Sequence, residues 1–375
     1  MAPAAIKKFR VLIVDDSAFM RKVLETIFNA DDQLQVAGHA KDGREAVALA
    51  ESLKPDVITM DINMPHMDGL QATAQIMTTN PKPIVIVSSE SREGAASTLK
   101  ALELGAIEFV AKPSSGIDLD MQSVKDDLLR KVRMAAKVRV VRTASRLATT
   151  LQSTNGTAPP AKPSAPIRTV PVITADQRFP VVVLAASTGG PATVMRLAPG
   201  FTRDFPAAVF LVQHMPAAFT TQYAAQLAEF TSIRVKEAEN GEPVQPGTLY
   251  ICPGAQHLRV TPTGRIQLDG ATGRINGYLP NIDVTMETVA AYAGPMSIGV
   301  VLTGMGNDGA LGAKAIKSAG GMVLAQDEAT SVIFGMPAEA IKVAAVDQVL
   351  GIDDIYAAIE KRVIGICKAM PVGVK

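Results

Sequence analysis

Two groups of residues in this chain of 375 have the types and spacing to do chemistry. The first is Asp15-Asp16, Asp61, Ser88 and Lys112, each standing just after a short apolar run. Carboxylates brought to one edge repel and raise each other's pKa unless a cation neutralises them. Oxygen donors in that number suit Mg2+, which keeps several waters and bridges to phosphate oxygens. Lys112 offers an ammonium to a phosphoryl group and Ser88 a hydroxyl. A solvated strand-end role accounts for any one of these residues, but not for all of them at one edge.

The second group is Ser187, His214 and Asp308. Ser187 follows VVVLAA and precedes Thr188-Gly189-Gly190-Pro191, where a strand turns into a helix. Free N–H groups at that helix start favour developing negative charge, and small neighbours leave the hydroxyl approachable, as a nucleophile requires. The strict G-x-S-x-G elbow is not matched, because Ala185 replaces the first Gly. A Ser-Thr helix cap with a Gly-rich turn is the bland alternative. Of four histidines, His39 and His66 lie in the first half and His257 begins a probable strand, where a half-buried structural role is expected. His214 ends the run AAVFLVQ, so position and elimination select it as the base. A base needs an orienting carboxylate, and Asp308, beyond the run SIGVVLT, is placed to supply it. The same loop also reads as Gly304-x-Gly306-x-x-Gly309, with Asp327 23 residues after Gly304, which is dinucleotide-binding spacing. Asp308, just before the third Gly, would face the pyrophosphate, and the strand comes late in its unit. Both features weigh against a cofactor.

Elements must exist to place these residues. Apolar runs at Val11–Val14, Gln35–Ala37, Val57–Met60, Ile84–Val87 and Ile107–Ala111 alternate with helical patterns near 18–29, 43–53, 68–79 and 94–104. That alternation predicts a parallel sheet, with ligands gathering beyond the strand C-termini. From Ala148 to Asp176, 18 of 29 residues are Pro, Ala, Ser or Thr and none is aromatic, which predicts a tether. The expected division is 8–125, a linking region 126–178 and a second α/β unit 179–375. Residues 130–146 carry seven Lys or Arg and no acid. They look helical, either as a solvated face leading into the tether or as a docking surface for an acidic receptor or the other unit.

Composition excludes several classes. Lys+Arg number 37 against 36 Asp+Glu, so no whole-chain electrostatic footprint for nucleic acid exists. Cys252 and Cys367 form neither a disulfide framework nor a C-x-x-C metal pattern. The start MAPAAIKKFR has no apolar leader core and no run approaches membrane-spanning length, so a soluble cytoplasmic protein is expected.

The first unit resembles a response-regulator receiver over essentially all of residues 8–120, through VLIVDDS, DVITMDINMPHMDGL, PIVIVSS and GAIEFVAKP. That resemblance implies a flavodoxin-like (βα)5 fold with Asp61 as phosphoacceptor. It also implies Mg2+ on Asp16, Asp61 and the Asn63 carbonyl, Asp15 assisting, and Ser88 with Phe109 as the switch pair. The second unit resembles the catalytic domain of the chemotaxis-type protein-glutamate methylesterase family, CheB, through AASTGGP, QHMP, TGMGNDG, AQDEAT and GMP. It implies a doubly wound, mostly parallel α/β domain that hydrolyses γ-glutamyl methyl esters of chemoreceptors and in many members deamidates receptor glutamines. The catalytic Ser, His and Asp fall on Ser187, His214 and Asp308, with Thr188 and Met305 beside them. Met305 would lend a backbone N–H to the oxyanion hole. The implied partners are methyl-accepting receptors as substrates and a histidine kinase as phosphodonor, with attachment to membrane receptors peripheral. A receiver-controlled binding regulator that hardly turns over is the competing class; the complete triad favours the enzyme.

Overall fold

Runs such as Val11–Val14 and Val181–Ala186 are buried throughout, which is the condition of parallel strands covered on both faces. A computed structural model describes residues 8–88, 92–112, 121–138, 179–343 and 345–370. Its first half runs β1 (Phe9–Val14), α1 (Ala18–Asn29), β2 (Leu34–Ala40), α2 (Gly43–Leu53) and β3 (Val57–Met60). It continues with α3 (Gly69–Thr79), β4 (Ile84–Ser88), α4 (Arg92–Glu103), β5 (Glu108–Ala111) and α5 (Met121–Ala135). Strand order is β2-β1-β3-β4-β5, every pair parallel. The second strand is longer than the expected Gln35–Ala37 because its register with β1 shifts between Val11 and Leu12 and pairing then continues to Ala40.

The expected boundary after residue 125 falls inside α5. Leu128, Val132 and Ala135 of that helix share a core with Val11, Ile13 and Phe28. Burial of this stripe makes α5 the last layer of the first sheet. Residues 139–178, and with them the Pro/Ala/Ser/Thr tether, lie outside the described residues.

The second half runs β6 (Val181–Ala186), α6 (Gly190–Leu197), β7 (Ala208–Gln213), α7 (Ala217–Ala228) and β8 (Arg234–Glu237). Next come β9 (Thr248–Ile251), β10 (His257–Val260), β11 (Ile266–Asp269) and α8 (Ile282–Ala293). The chain ends with β12 (Ser297–Val301), α9 (Ala310–Ser318), β13 (Met322–Gln326), α10 (Met336–Lys342), β14 (Gln348–Leu350) and α11 (Ile352–Ala369). Seven parallel strands order as β14-β13-β12-β6-β7-β9-β8, while β10 and β11 form a separate antiparallel pair. The order reverses at β6, whose neighbours are β7 and the much later β12. Such a switch point opens a crevice beyond the strand ends. One hydrophobic cluster spans both halves, joining Ile86, Leu99 and Phe109 to Val194, Phe219 and Tyr223. Helix α4 lies against α6 and α7.

Candidate active site

The residues after β12, β6 and β7 meet at the switch point. Ser187 follows β6, and its N–H donates to the Thr303 carbonyl at 3.1 Å, tying the turn to the end of β12. Gly189 has φ +76°, and a Cβ there would lie 2.5 Å from Val332 Cβ. A Cβ on Gly190 would lie 2.1 Å from Gln213 Oε1. Only this pair of glycines lets the chain turn so tightly into α6. The helix begins on Gly189 with no side-chain cap, so the Ser187 hydroxyl is not spent on capping. It lies 3.1 Å from His214 Nδ1. Ala185 sits within β6, paired with Val212 and Val301, so its methyl is on the strand and not on the turn.

His214 Nε2 lies 2.8 Å from Asp308 Oδ2. With Nε2–H donating to the carboxylate, Nδ1 is left to accept from the Ser187 hydroxyl. This reverses the nitrogen order of chymotrypsin-like triads but preserves the chain of bonds. Tyr278 covers the imidazole, its ring stacked 4.7 Å away at 15°. Asp308, 2% exposed, is held by backbone: Oδ2 accepts from Ile282 N at 2.8 Å and Oδ1 from Asp283 N at 3.0 Å. Those are free N–H groups of the first turn of α8, where a negative charge is favoured. The start of α9, which a dinucleotide reading would have given to phosphate, is filled instead by the Asp283 carboxylate, whose Oδ1 accepts from Gly309 N and Gly312 N.

Thr188 is buried, and its carbonyl accepts from Thr303 Oγ1 at 3.0 Å. Met305 is half-buried in the loop after β12, and its Sδ accepts from Arg130 Nη1 at 3.3 Å. Sequence reasoning missed Tyr278 and Gln213. Gln213 is buried, and its Nε2 donates to the Ser187 carbonyl at 2.9 Å. The Asn276-Gly277 pair, at positive φ (52° and 88°), marks the tight turn just before Tyr278, but nothing in that turn points to His214. His257 is fully buried, its Nε2 2.7 Å from the Gly273 carbonyl and its Nδ1 accepting from Asn281 N at 3.1 Å, so it serves the fold. Burial pushes the Cys252 thiol well up, and nothing in its surroundings activates it.

At the edge of the first sheet, one carboxylate oxygen each from Asp15, Asp16 and Asp61 lies within 4.8 Å of the others. Lys112 Nζ reaches back from β5 to Asp61 Oδ2 at 2.7 Å and Asp15 Oδ2 at 3.0 Å. Burial raises the Asp61 pKa above the usual carboxylate range; Lys112 opposes the rise and Asp15 adds to it. Burial alone would lower Lys112, yet its bonds to Asp61 and Asp15 hold it above its ordinary value. One ammonium against three carboxylates leaves negative charge in excess, so the donor set fits a hard cation such as Mg2+. Ser88 is buried, with its hydroxyl 3.5 Å from the Gly94 carbonyl. Asn63 and Asp16 are exposed.

The Phe109 ring is buried against Phe219 of the second half, centroids 4.4 Å apart. Lys131 donates to the Phe109 carbonyl at 2.8 Å and lies 5.2 Å from its ring centroid. Gln226 Nε2 donates to Glu103 Oε2 at 3.2 Å, also across the halves. The described part of the basic segment is not a merely solvated face: Arg130 meets Met305 and Asp127, Lys131 pairs with Glu108 and Asp127, and Arg133 pairs with Asp31. Residues 139–146 lie outside the described residues.

Among the described residues no helix is long and apolar enough to cross a membrane. Residues 182–359 match the family model for CheB methylesterase, and 11–122 match the response regulator receiver domain. A protein-glutamate methylesterase/protein-glutamine glutaminase of Pyrococcus horikoshii is 43% identical over 363 residues, covering 96% of this chain and 95% of that protein. One so named from Methanococcus maripaludis is 40% identical, covering 95% and 98%. The crystal structure of the Thermotoga maritima CheB methylesterase catalytic domain is 39% identical and aligns with a TM-score of 0.48, covering 49% of this chain and 99% of that one.

Proposed function

This chain belongs to the CheB family of protein-glutamate methylesterases/protein-glutamine glutaminases, and from that premise we propose that Ser187, His214 and Asp308 carry the hydrolysis. Ser187 Oγ attacks the γ-glutamyl ester carbonyl while His214 Nδ1 takes the hydroxyl proton. His214 returns that proton to the departing methoxide, which leaves as methanol. Water, deprotonated by the same nitrogen, then attacks the acyl-serine. The C–Oγ bond breaks, His214 returns the proton to Ser187 Oγ, and the glutamate side chain leaves as its free acid, ionising in solution. Asp308 fixes the tautomer and stabilises the imidazolium. The same steps on a glutamine side chain release ammonia. Thr188 and Met305 flank the nucleophile, with a Met305 N–H directed at the oxyanion. The observation that carries this reading is the continuous chain from Ser187 Oγ to His214 at 3.1 Å and on to Asp308 at 2.8 Å.

The 8–125 region, with the remainder of α5 packed on it, acts as the receiver and 179–375 as the esterase, joined through the residues between. Asp61 accepts the phosphoryl group from a chemotaxis histidine kinase. Asp16, Asp61 and the Asn63 carbonyl would hold Mg2+, with Asp15 assisting; the bound ion would neutralise the carboxylates and offset charge on the phosphoryl oxygens. Lys112 and Ser88 then meet the phosphoryl group, and Phe109 moves with them. Phe109 on Phe219 and Arg130 on Met305 support the reading that the unphosphorylated receiver covers the approach to Ser187. A tethered receiver is held at high effective concentration, so contacts this small suffice. The substrates are methylated helices of membrane chemoreceptors, met from the cytoplasmic side and without nucleic acid.

Methanol release from a methylated receptor fragment tests this. Wild type should release it, more so with a small phosphodonor and Mg2+, and Ser187→Ala should not. Near-wild-type release by Ser187→Ala would refute the nucleophile assignment.

A further inference from the structure

A second buried carboxylate touches the triad's support without belonging to the triad. Asp283, 8% exposed, is the second residue of α8. Its Oδ1 accepts from Gly309 N at 2.9 Å and from Gly312 N at 2.7 Å, both at the start of α9. Asp308, just ahead of α9, accepts in return from Ile282 N and Asp283 N at the start of α8. The two helix N-termini therefore exchange carboxylates. Neither helix can satisfy those donors from its own cap. Asn281 caps α8 only at Val284 N, and Gly309 gives α9 no side-chain cap at all. The backbones are also in close contact, since a Cβ on Gly312 would lie 2.5 Å from Met286 Cβ and 3.1 Å from Asp283 Cα.

We propose that Asp283 is a positioning residue of the hydrolysis: by capping α9 across the helix pair, it holds the Gly306–Gly309 loop in the register that keeps Asp308 against His214. The inference rests on the triad reading above. The chain that carries Asp308 runs directly into Gly309, so releasing Gly309 and Gly312 frees the main chain on which the Asp308 carboxylate stands. The acceptor matters here rather than the charge, because a single oxygen receives both N–H groups.

The test is methanol release by full-length Asp283→Ala and Asp283→Asn, alone and on an Asp308→Asn background. Asp283→Ala should lower kcat about 10- to 100-fold with KM within about twofold, since the lost alignment acts on the reacting groups and not on substrate binding. Asp283→Asn, which keeps Oδ1, should restore kcat to within about threefold of wild type. On the Asp308→Asn background, Asp283→Ala should cost less than about twofold more, because a residue acting through Asp308 has nothing left to position. If Asp283→Ala does not fold, Asp283→Ser takes its place, being polar but too short to reach both amides. A wild-type kcat in the Ala or Ser variant would overturn the inference. So would an Asn variant as impaired as Ala, or losses that multiply in full on the Asp308→Asn background. Ser187→Ala and Asp308→Asn run alongside separate the two failures: if they keep turnover, the triad reading falls, and if only the Asp283 variants keep it, the positioning role alone falls.

Discussion

Two sheet edges in this molecule obey one topological rule and reach opposite electrostatic solutions. In both, the residues that follow adjacent parallel strands converge where the strand order reverses. At the first edge, β1 and β3 deliver Asp15, Asp16 and Asp61, and Lys112 is the cation that answers them. Charge is left in excess, and the edge is suited to an ion from solution. At the second, β6, β7 and β12 deliver one residue each, and the single carboxylate is satisfied by two backbone N–H groups and an imidazole. On the proposed reading, the edge whose acids outnumber its internal donors serves a phosphoryl group, and the edge whose one carboxylate is fully answered serves a nucleophile.

The comparison breaks most visibly at the second edge. Ser187→Ala or His214→Ala should lower kcat by about 10^6-fold and Asp308→Asn by about 10^4-fold, since triad members act as a unit. Single-turnover methanol release, with circular dichroism to confirm folding, measures this; a loss under tenfold in the serine or histidine variant contradicts it. The first edge should fail in a different way. A chelator should abolish phosphoryl transfer from a small phosphodonor to Asp61, as Asp61→Asn should, yet leave methanol release by the unphosphorylated protein within about twofold. Esterase activity that disappears with the chelator would erase the contrast between the edges.

Much of this contrast was legible in the sequence because it resides in strand ends. A buried parallel strand is a largely apolar run, and the polar residues just past its C-terminal end mark the edge, so Asp61 and Ser187 stand out directly. His214, behind the buried Gln213, needs elimination among the four histidines as well. What supports them was not legible. Asp283 and Tyr278 act across helix and loop boundaries, where no periodic pattern links residue 283 to 309 or 278 to 214. Strands β8 and β14, only partly buried, likewise lack the apolar run that betrays the central strands. Arg130 was readable as basic but not as a neighbour of Met305, because that contact joins residues 175 apart.

Smaller effects sharpen the account. Burial raises the Asp283 pKa from 3.8 to about 6; the Gly312 and Gly309 amides oppose the rise, and the charges of Asp308 and Glu287 add to it. The folded protein thus holds this proton more tightly than the unfolded chain. The ionised carboxylate begins to cost stability as pH rises past about 4, and the cost is complete above about 6. Asp283→Asn removes that cost, so its stability relative to wild type should improve by up to roughly 3 kcal/mol between pH 4 and pH 7. Urea unfolding at both pH values checks this, and a difference independent of pH contradicts it. Smallest of all, Arg130→Ala should raise unphosphorylated turnover about two- to fivefold by removing one contact across the halves, while leaving the phosphorylated rate unchanged. An equal rise in both states would place Arg130 outside the control.

The central claim is that Ser187, activated by His214, is the nucleophile, and covalent capture tests it most directly. Full-length protein treated with a serine-directed phosphonate ester and mapped by peptide mass spectrometry should carry one adduct, on Ser187, formed at least about 100-fold more slowly in His214→Ala. An adduct on another residue, or labelling of Ser187 equally fast without His214, would contradict it.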